Sequence, residues 1–140
     1  MNNFINANNL FRKYFAWLKE NLEQAEFVLW LEQNNYTFSA IPLSTFTPNK
    51  QKIINIITGV RAGVPDMIIL LKRGSILFIE MKNKKYQIIK KNELKVRTRN
   101  DLSKEQIEWK NQLNTIKNVA CEVSFSQQAV NLVKHYERIV

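Results

Sequence analysis

The 140-residue sequence has little of what builds many small-protein active sites. Its single cysteine, Cys121, excludes an internal disulfide and any multi-cysteine zinc site, and reads as a small apolar residue in a strand. One histidine, His135 near the C-terminus, argues against chemistry that needs several imidazole ligands. Three glycines, at 59, 63 and 74, leave no phosphate-binding P-loop. No apolar run reaches the length of a membrane span, and the Asn-rich start lacks the basic-then-apolar order of a signal peptide. A cytoplasmic protein with no membrane association is therefore expected. No internal repeat, linker or low-complexity segment divides the chain, and its length suits one domain with a real core.

Apolar and basic residues are what the chain does have. Hydrophobic residues make up 45% and aromatic residues 11%, as in a globular protein. The net charge of +9 is unevenly placed: residues 82–99 hold eight Lys or Arg against one acid, Glu93. Of 21 basic and 12 acidic residues in all, this leaves 13 and 11 elsewhere, which is near balance. An excess concentrated in one place is the electrostatic footprint of a polyanion binder. The alternative is a solvated loop kept soluble by its charge.

Residues 59–82, GVRAGVPDMIILLKRGSILFIEMK, organise the chain. Pro65 opens an apolar run, Met67 to Leu71, and a second run spans Ile76 to Met81. Continuous apolar runs of this kind suit strands buried on both faces. If Lys72-Arg73-Gly74 is a three-residue loop, Gly74 falls where that loop needs a left-handed residue. Leu71 then pairs with Ser75, and the antiparallel register sets Asp66 opposite Glu80. Opposed residues share a sheet face, and Glu80 and Lys82 share one because side chains alternate with period two. A two-residue loop would turn Asp66 to the other face.

Two carboxylates and a lysine converging at a buried hairpin end suggest a hard-cation site. Magnesium takes oxygen ligands, usually one or two carboxylates plus waters and substrate phosphates. A nearby lysine can hold a water or offset charge in a transition state. The plainer reading is an ordinary Glu80–Lys82 pair at a strand end. The Pro-Asp at hairpin distance and the preceding Gly59-Val60-Arg61-Ala62-Gly63 favour the site.

Together, GVRAGVPDMIIL, FIEMK and LSKEQIEW resemble the VRR-NUC family of the PD-(D/E)xK nuclease superfamily. The resemblance covers most of residues 20–125. It implies an α/β fold with a three-layer restriction-endonuclease-like core, a mixed β-sheet flanked by helices on both faces. It further implies a Mg²⁺- or Mn²⁺-dependent endonuclease hydrolysing phosphodiester bonds in DNA. Asp66 and Glu80 would bind the metal with the carbonyl of Met81, Lys82 would position water, and Glu20 and Gln106 would support the site. Family members often show ExxxQ before a WL-like pair, matched here by Glu20 to Gln24 before Trp30-Leu31. Glu23 lies on nearly the same helix face and rivals Glu20. The family's Ile-Pro-Asn is Ile41-Pro42-Leu43 in this chain.

The remaining elements read in order. Residues 10–33 are helical, as one helix or two. Tyr36 to Ile41 reads as a strand, residues 44–52 as a loop, and Ile53 to Ile57 as a short strand or a helical turn. A basic insertion occupies about 83–101, and residues 86–98 could form a second hairpin. Ser103-Lys104-Glu105-Gln106 fits a capping box, and Gln106 heads an inward stripe with Trp109, Leu113 and Ile116. Val119 to Phe125 reads as a strand and Ser126 to Tyr136 as a closing helix. Arg61, Lys84, Lys85, Lys90, Lys91, Arg97 and Arg99 are the basic residues expected to meet DNA. No sequence-reading module is evident, so recognition of DNA structure, junction or flap-like, is expected rather than of sequence.

A homodimer is also expected. Small proteins similar to this one, and the related Holliday-junction resolvases, pair two cores to cut two strands. Phe4, Phe11, Tyr14, Phe15 and Trp17 are more rings than one helix face can bury. That segment could instead fold back over its own sheet. The alternative function is a non-catalytic DNA-binding protein on a nuclease fold.

Overall fold

Two apolar runs form the centre of a four-stranded sheet. The computed structural model describes residues 7–18, 21–42, 49–82 and 102–138. In it β2 (Met67–Leu70) and β3 (Ile76–Met81) pair antiparallel, β1 (Thr37–Ala40) joins β2 antiparallel, and β4 (Val119–Ser124) joins β3 in parallel. The strand order is β1-β2-β3-β4. The expected register holds. Leu71 N–H donates to Ser75 O at 2.9 Å, and Gly74 takes φ 85°, a left-handed value that costs a residue without Cβ little. Met67 lies opposite Ile79, so one further step sets Asp66 opposite Glu80.

Six helices surround this sheet among the described residues: α1 (Ala7–Lys13), α2 (Phe15–Leu18), α3 (Leu22–Gln33), α4 (Asn49–Ile57), α5 (Lys104–Leu113) and α6 (Ser126–Arg138). Period-two alternation sends Met67, Ile69, Leu77 and Ile79 to one face, where all are fully buried. There they meet Phe27 and Leu31 of α3, and Ala129 and Val133 of α6. Burying each such aliphatic side chain contributes about 1.5–3 kcal/mol. Helix α5 lies on the opposite face, where Gln106 reaches Glu80. The result is the three-layer α/β arrangement with helices on both faces.

Helix α3 stops where Asn35 adopts φ 58°, letting Tyr36 N–H bond back to Leu31 O. Past the other end of the sheet's connections, Asn114 does something the sequence did not announce. Its Nδ2 donates to Cys121 O at 3.1 Å and its Oδ1 accepts from Cys121 N–H at 2.9 Å. The side-chain amide thus occupies the outer edge of β4 as a neighbouring strand would. Val119 N–H on the same edge donates to Ile116 O.

Several expectations are corrected. Among the described residues of 10–33 there are three helical pieces rather than one or two, with Tyr14 between α1 and α2. The short pieces pack on α3. Residues 53–57 are helical, and α4 begins at Asn49, inside the stretch read as a loop. Its four isoleucines are all exposed, so no strand-like burial draws them into the sheet. Gln51 and Asn55 bond one turn apart, as a helix allows. Strand β2 is not buried on both faces: Leu70 is 44% exposed because α5 covers the β3–β4 side. Ile116 is exposed because α5 ends at Leu113, ahead of it. The basic insertion, where a second hairpin is expected, lies outside the described residues, as do Phe4 and the side chain of Trp17. Among the described residues no helix is long and apolar enough to cross a membrane.

Candidate active site

Asp66 and Glu80 sit on the sheet face turned away from the main core, where the hairpin register places them. Asp66 Oδ2 accepts from Met81 N–H at 2.8 Å, which aims the carboxylate across the strand pair. Glu80 is only 7% exposed. Its Oε1 accepts from Gln106 Nε2 at 2.8 Å and lies 3.7 Å from Lys82 Nζ. Lys82 N–H in turn donates to Ser124 O at 2.7 Å, so the backbone carrying the lysine is held against the end of β4. Asp66, Glu80, Lys82 and Gln106, separated by up to 40 positions, meet at one place.

Neither carboxylate is settled electrostatically. Burial pushes the Glu80 carboxyl up to about 7, the adjacent Asp66 charge adds to the rise, and Lys82 only partly opposes it. Asp66 is also raised, chiefly by burial, against the lowering effects of Met81 N–H and Lys82. A buried and a half-buried acid, with one lysine 3.7 Å from Glu80, leave a deficit of positive charge. A hard divalent ion removes such a deficit through oxygen ligands. Among the described residues no group of three or more His, Cys, Asp or Glu gathers, and the acidic donors at this place are these two carboxylates. That set fits magnesium, which usually keeps several waters.

Gln106 serves two ends with one amide. Its Oε1 accepts from Ser103 N–H at 2.9 Å while Ser103 Oγ accepts from Gln106 N–H at 3.1 Å, completing the capping box. Its Nε2 is then directed to Glu80. Cap and site contact, two separate readings of the sequence, are one arrangement.

Gly63 explains how α5 comes so near. A Cβ built on it would lie 2.5 Å from the backbone carbon of Glu105, and its φ is 88°. The loop carrying Asp66 therefore packs backbone to backbone on the first turn of α5, next to Gln106. Sequence reading noted the glycine without this contact. A glycine three residues before a candidate ligand is the signal that could have raised it.

Other expected residues are distributed differently. Arg61 is exposed, and its Nη1 donates to Ile56 O and Val60 O at 3.0 Å each, which closes the end of α4. Glu23 accepts from Ser126 N–H at 2.7 Å, at the start of α6, and is thus engaged as a helix-terminal anion. Glu20 lies outside the described residues, as do Lys84, Lys85, Lys90, Lys91, Arg97 and Arg99. Trp109, read only as part of a core stripe, is half-buried and also walls a cavity of about 530 Å³ with Arg61, Ala62, Glu105, Glu108 and Gln112.

No protein-family model and no curated protein matches the sequence. A solved structure described as a VRR_NUC domain is similar in fold, with a TM-score of 0.53 over 84% of this chain and 97% of that chain, at 19% identity. This chain therefore has the fold of a VRR_NUC domain.

Proposed function

We propose that the protein is a metal-dependent endonuclease that hydrolyses phosphodiester bonds in DNA. The observation that supports it most directly is the pair of raised carboxylates, buried Glu80 and half-buried Asp66, beside Lys82 on a VRR_NUC fold. A fold alone does not carry chemistry, and this constellation supplies the missing part. Asp66, Glu80 and the carbonyl of Met81 would hold Mg²⁺ or Mn²⁺. When bound, the ion supplies a Lewis acid for the phosphoryl oxygens.

The chain's own residues divide the remaining work. Gln106 fixes the Glu80 carboxylate through its 2.8 Å bond, so that ligand geometry is set before substrate arrives. Lys82 holds the attacking water and meets negative charge that develops as the new P–O bond forms and the ester P–O bond breaks. Glu20 supports the site. Arg61 and the basic residues of the insertion, Lys84, Lys85, Lys90, Lys91, Arg97 and Arg99, bind the DNA backbone, and a homodimer presents two such sites to one DNA. Recognition is of DNA structure, junction or flap-like.

The test is cleavage of plasmid, nicked, flapped and four-way DNA with Mg²⁺ or Mn²⁺, by the wild type and by Asp66→Asn and Glu80→Gln. Both variants should lose cleavage while retaining DNA binding, because the backbone charge is met elsewhere. Metal-dependent cleavage persisting in both would overturn the assignment.

A further inference from the structure

The cavity beside the candidate active site has no part in metal binding as described above, and of its walls only Arg61 has been given a role, on the DNA backbone. Its walls come from two elements far apart in sequence. The loop gives Arg61 and Ala62, and one face of α5 gives Glu105, Glu108, Trp109 and Gln112. These four recur at i, i+3, i+4 and i+7, so one helix stripe forms a continuous wall. The lining is mostly apolar with a polar margin, and about 530 Å³ falls in the range of small-ligand sites. Trp109 follows Gln106 by three residues, roughly 4.5 Å along the helix axis. The cavity therefore adjoins the helix turn that carries Gln106, the residue bonded to Glu80.

We propose that this cavity receives an unstacked nucleobase from the nucleotide flanking the scissile phosphate. The inference rests on the nuclease reading and deepens it, since it names the part of the substrate that must leave the duplex stack. The occupant follows from the chemistry of the walls. An indole face favours a flat aromatic partner and accepts any base. Glu105 and Glu108 repel a phosphate, so the group that enters is not the charged part of the nucleotide. Carboxylates and the Gln112 amide accept from exocyclic amines, as the N4 amine of cytosine presents, and thymine lacks such an amine. At the rim, the guanidinium of Arg61 is anchored through Nη1 to Ile56 O and Val60 O. That fixes a cation where the backbone of the same nucleotide passes. Duplex DNA cannot fill the cavity without unstacking, which costs a few kcal/mol, whereas a flap or junction branch offers bases already unstacked.

Binding is measured without cleavage, in EDTA, with the oligonucleotides dC10 and dT10 and a blunt duplex of equal length. The wild type should bind dC10 more tightly than dT10, and dC10 should quench tryptophan emission, a signal absent from Trp109→Phe. Trp109→Ala should weaken dC10 binding about tenfold and leave duplex binding within twofold. Glu108→Gln should narrow the difference between dC10 and dT10. Because Trp109 is half-buried, Ala62→Leu offers an independent route, filling the cavity from the loop side without touching α5, and the same tenfold loss is expected. Unchanged dC10 affinity in Trp109→Ala and Ala62→Leu, or no quenching, would overturn the base site. Cleavage in Mg²⁺ is scored separately: if it is present while dC10 binding ignores both variants, only the base site falls. If dC10 binding follows Trp109 and no substrate is cut, the nuclease reading falls and the base site stands.

Discussion

Gln106 Nε2 and Glu80 Oε1 are 2.8 Å apart, and the same glutamine closes the N-terminus of α5 through its oxygen. The two jobs can be separated by chemistry. Gln106→Glu keeps an acceptor suited to the capping box but removes the donor and sets a third carboxylate against Glu80. We expect thermal stability close to wild type with turnover reduced at least tenfold. Gln106→Ala should lose both, with a stability cost of about 0.5–2 kcal/mol from the cap. Equal turnover in wild type and Gln106→Glu would show that the contact is structural only.

Stability should depend on pH in an unusual direction. Glu80 titrates at about 7 in the folded chain against 4.5 as its ordinary value, and Asp66 is raised as well. The folded state then holds protons that the unfolded state has released. This contribution to stability is fully present below about 4.5 and is lost as pH rises through about 7. In EDTA, the urea midpoint should fall between pH 5 and pH 8, and the fall should shrink in Glu80→Gln. Added Mg²⁺ should raise the midpoint more at pH 8 than at pH 5, because it binds the deprotonated pair. A midpoint that moves equally in Glu80→Gln would contradict the assignment.

Gly63 and Gly59 provide a matched pair. Both have positive φ, 88° and 100°, but only Gly63 faces backbone, whereas nothing lies within 4 Å of a Cβ on Gly59. Gly59→Ala should cost roughly 1–2 kcal/mol from the left-handed backbone alone. Gly63→Ala should cost more and should also lower turnover, since the loop must retreat from α5. Chemical denaturation of the two variants compares them directly, and equal losses would mean that the loop–helix contact is slack.

Lys82 and the basic insertion should fail in different ways. Lys82→Ala should cut kcat far more than DNA affinity, as expected for an interaction made in the transition state. Replacing Lys84, Lys85, Lys90 and Lys91 with Ala should instead weaken binding and flatten its salt dependence, by about one unit of slope per lost phosphate contact. An unchanged slope would assign the insertion to solubility alone.

The aromatic N-terminal helices bear on assembly. Phe11 and Phe15 meet edge to face at 5.6 Å, yet Phe15 and Leu10 remain 53% and 42% exposed. Light scattering at low micromolar concentration should give twice the 16.5 kDa chain mass, and Phe15→Ser should reduce it. A monomer mass with and without DNA would rule out the dimer.

What could be read in advance was local. One glycine set the hairpin register, and that register carried Asp66 to Glu80. The capping box at Ser103 was legible because its spacing is fixed by one helical turn. Residues 53–57 were ambiguous because Ile-Ile-Asn-Ile-Ile suits a strand by β-branching and a helix by its neighbours. The approach of Gly63 to Glu105 and the cavity between Arg61 and Trp109 escaped notice because each joins segments more than forty positions apart. Such contacts arise only when the sheet and α5 are assembled.

The Asn114 amide on β4 gives the sheet a sense of direction. Ile41 N–H bonds to Asp66 O, so the alternation of an antiparallel pair turns the backbone groups of Phe38 and Ala40 outward from β1. One margin of the sheet is occupied at Val119 and Cys121, and on the other Ala40 O accepts from its neighbour Ser39 Oγ. Strand-by-strand growth needs two receptive margins on every copy, as in a fibre. Two copies that met through β1 would each turn outward a β4 margin whose Cys121 groups Asn114 already holds. Asn114 thereby covers the Cys121 backbone pair against a second copy, and Asn114→Ala would expose that pair.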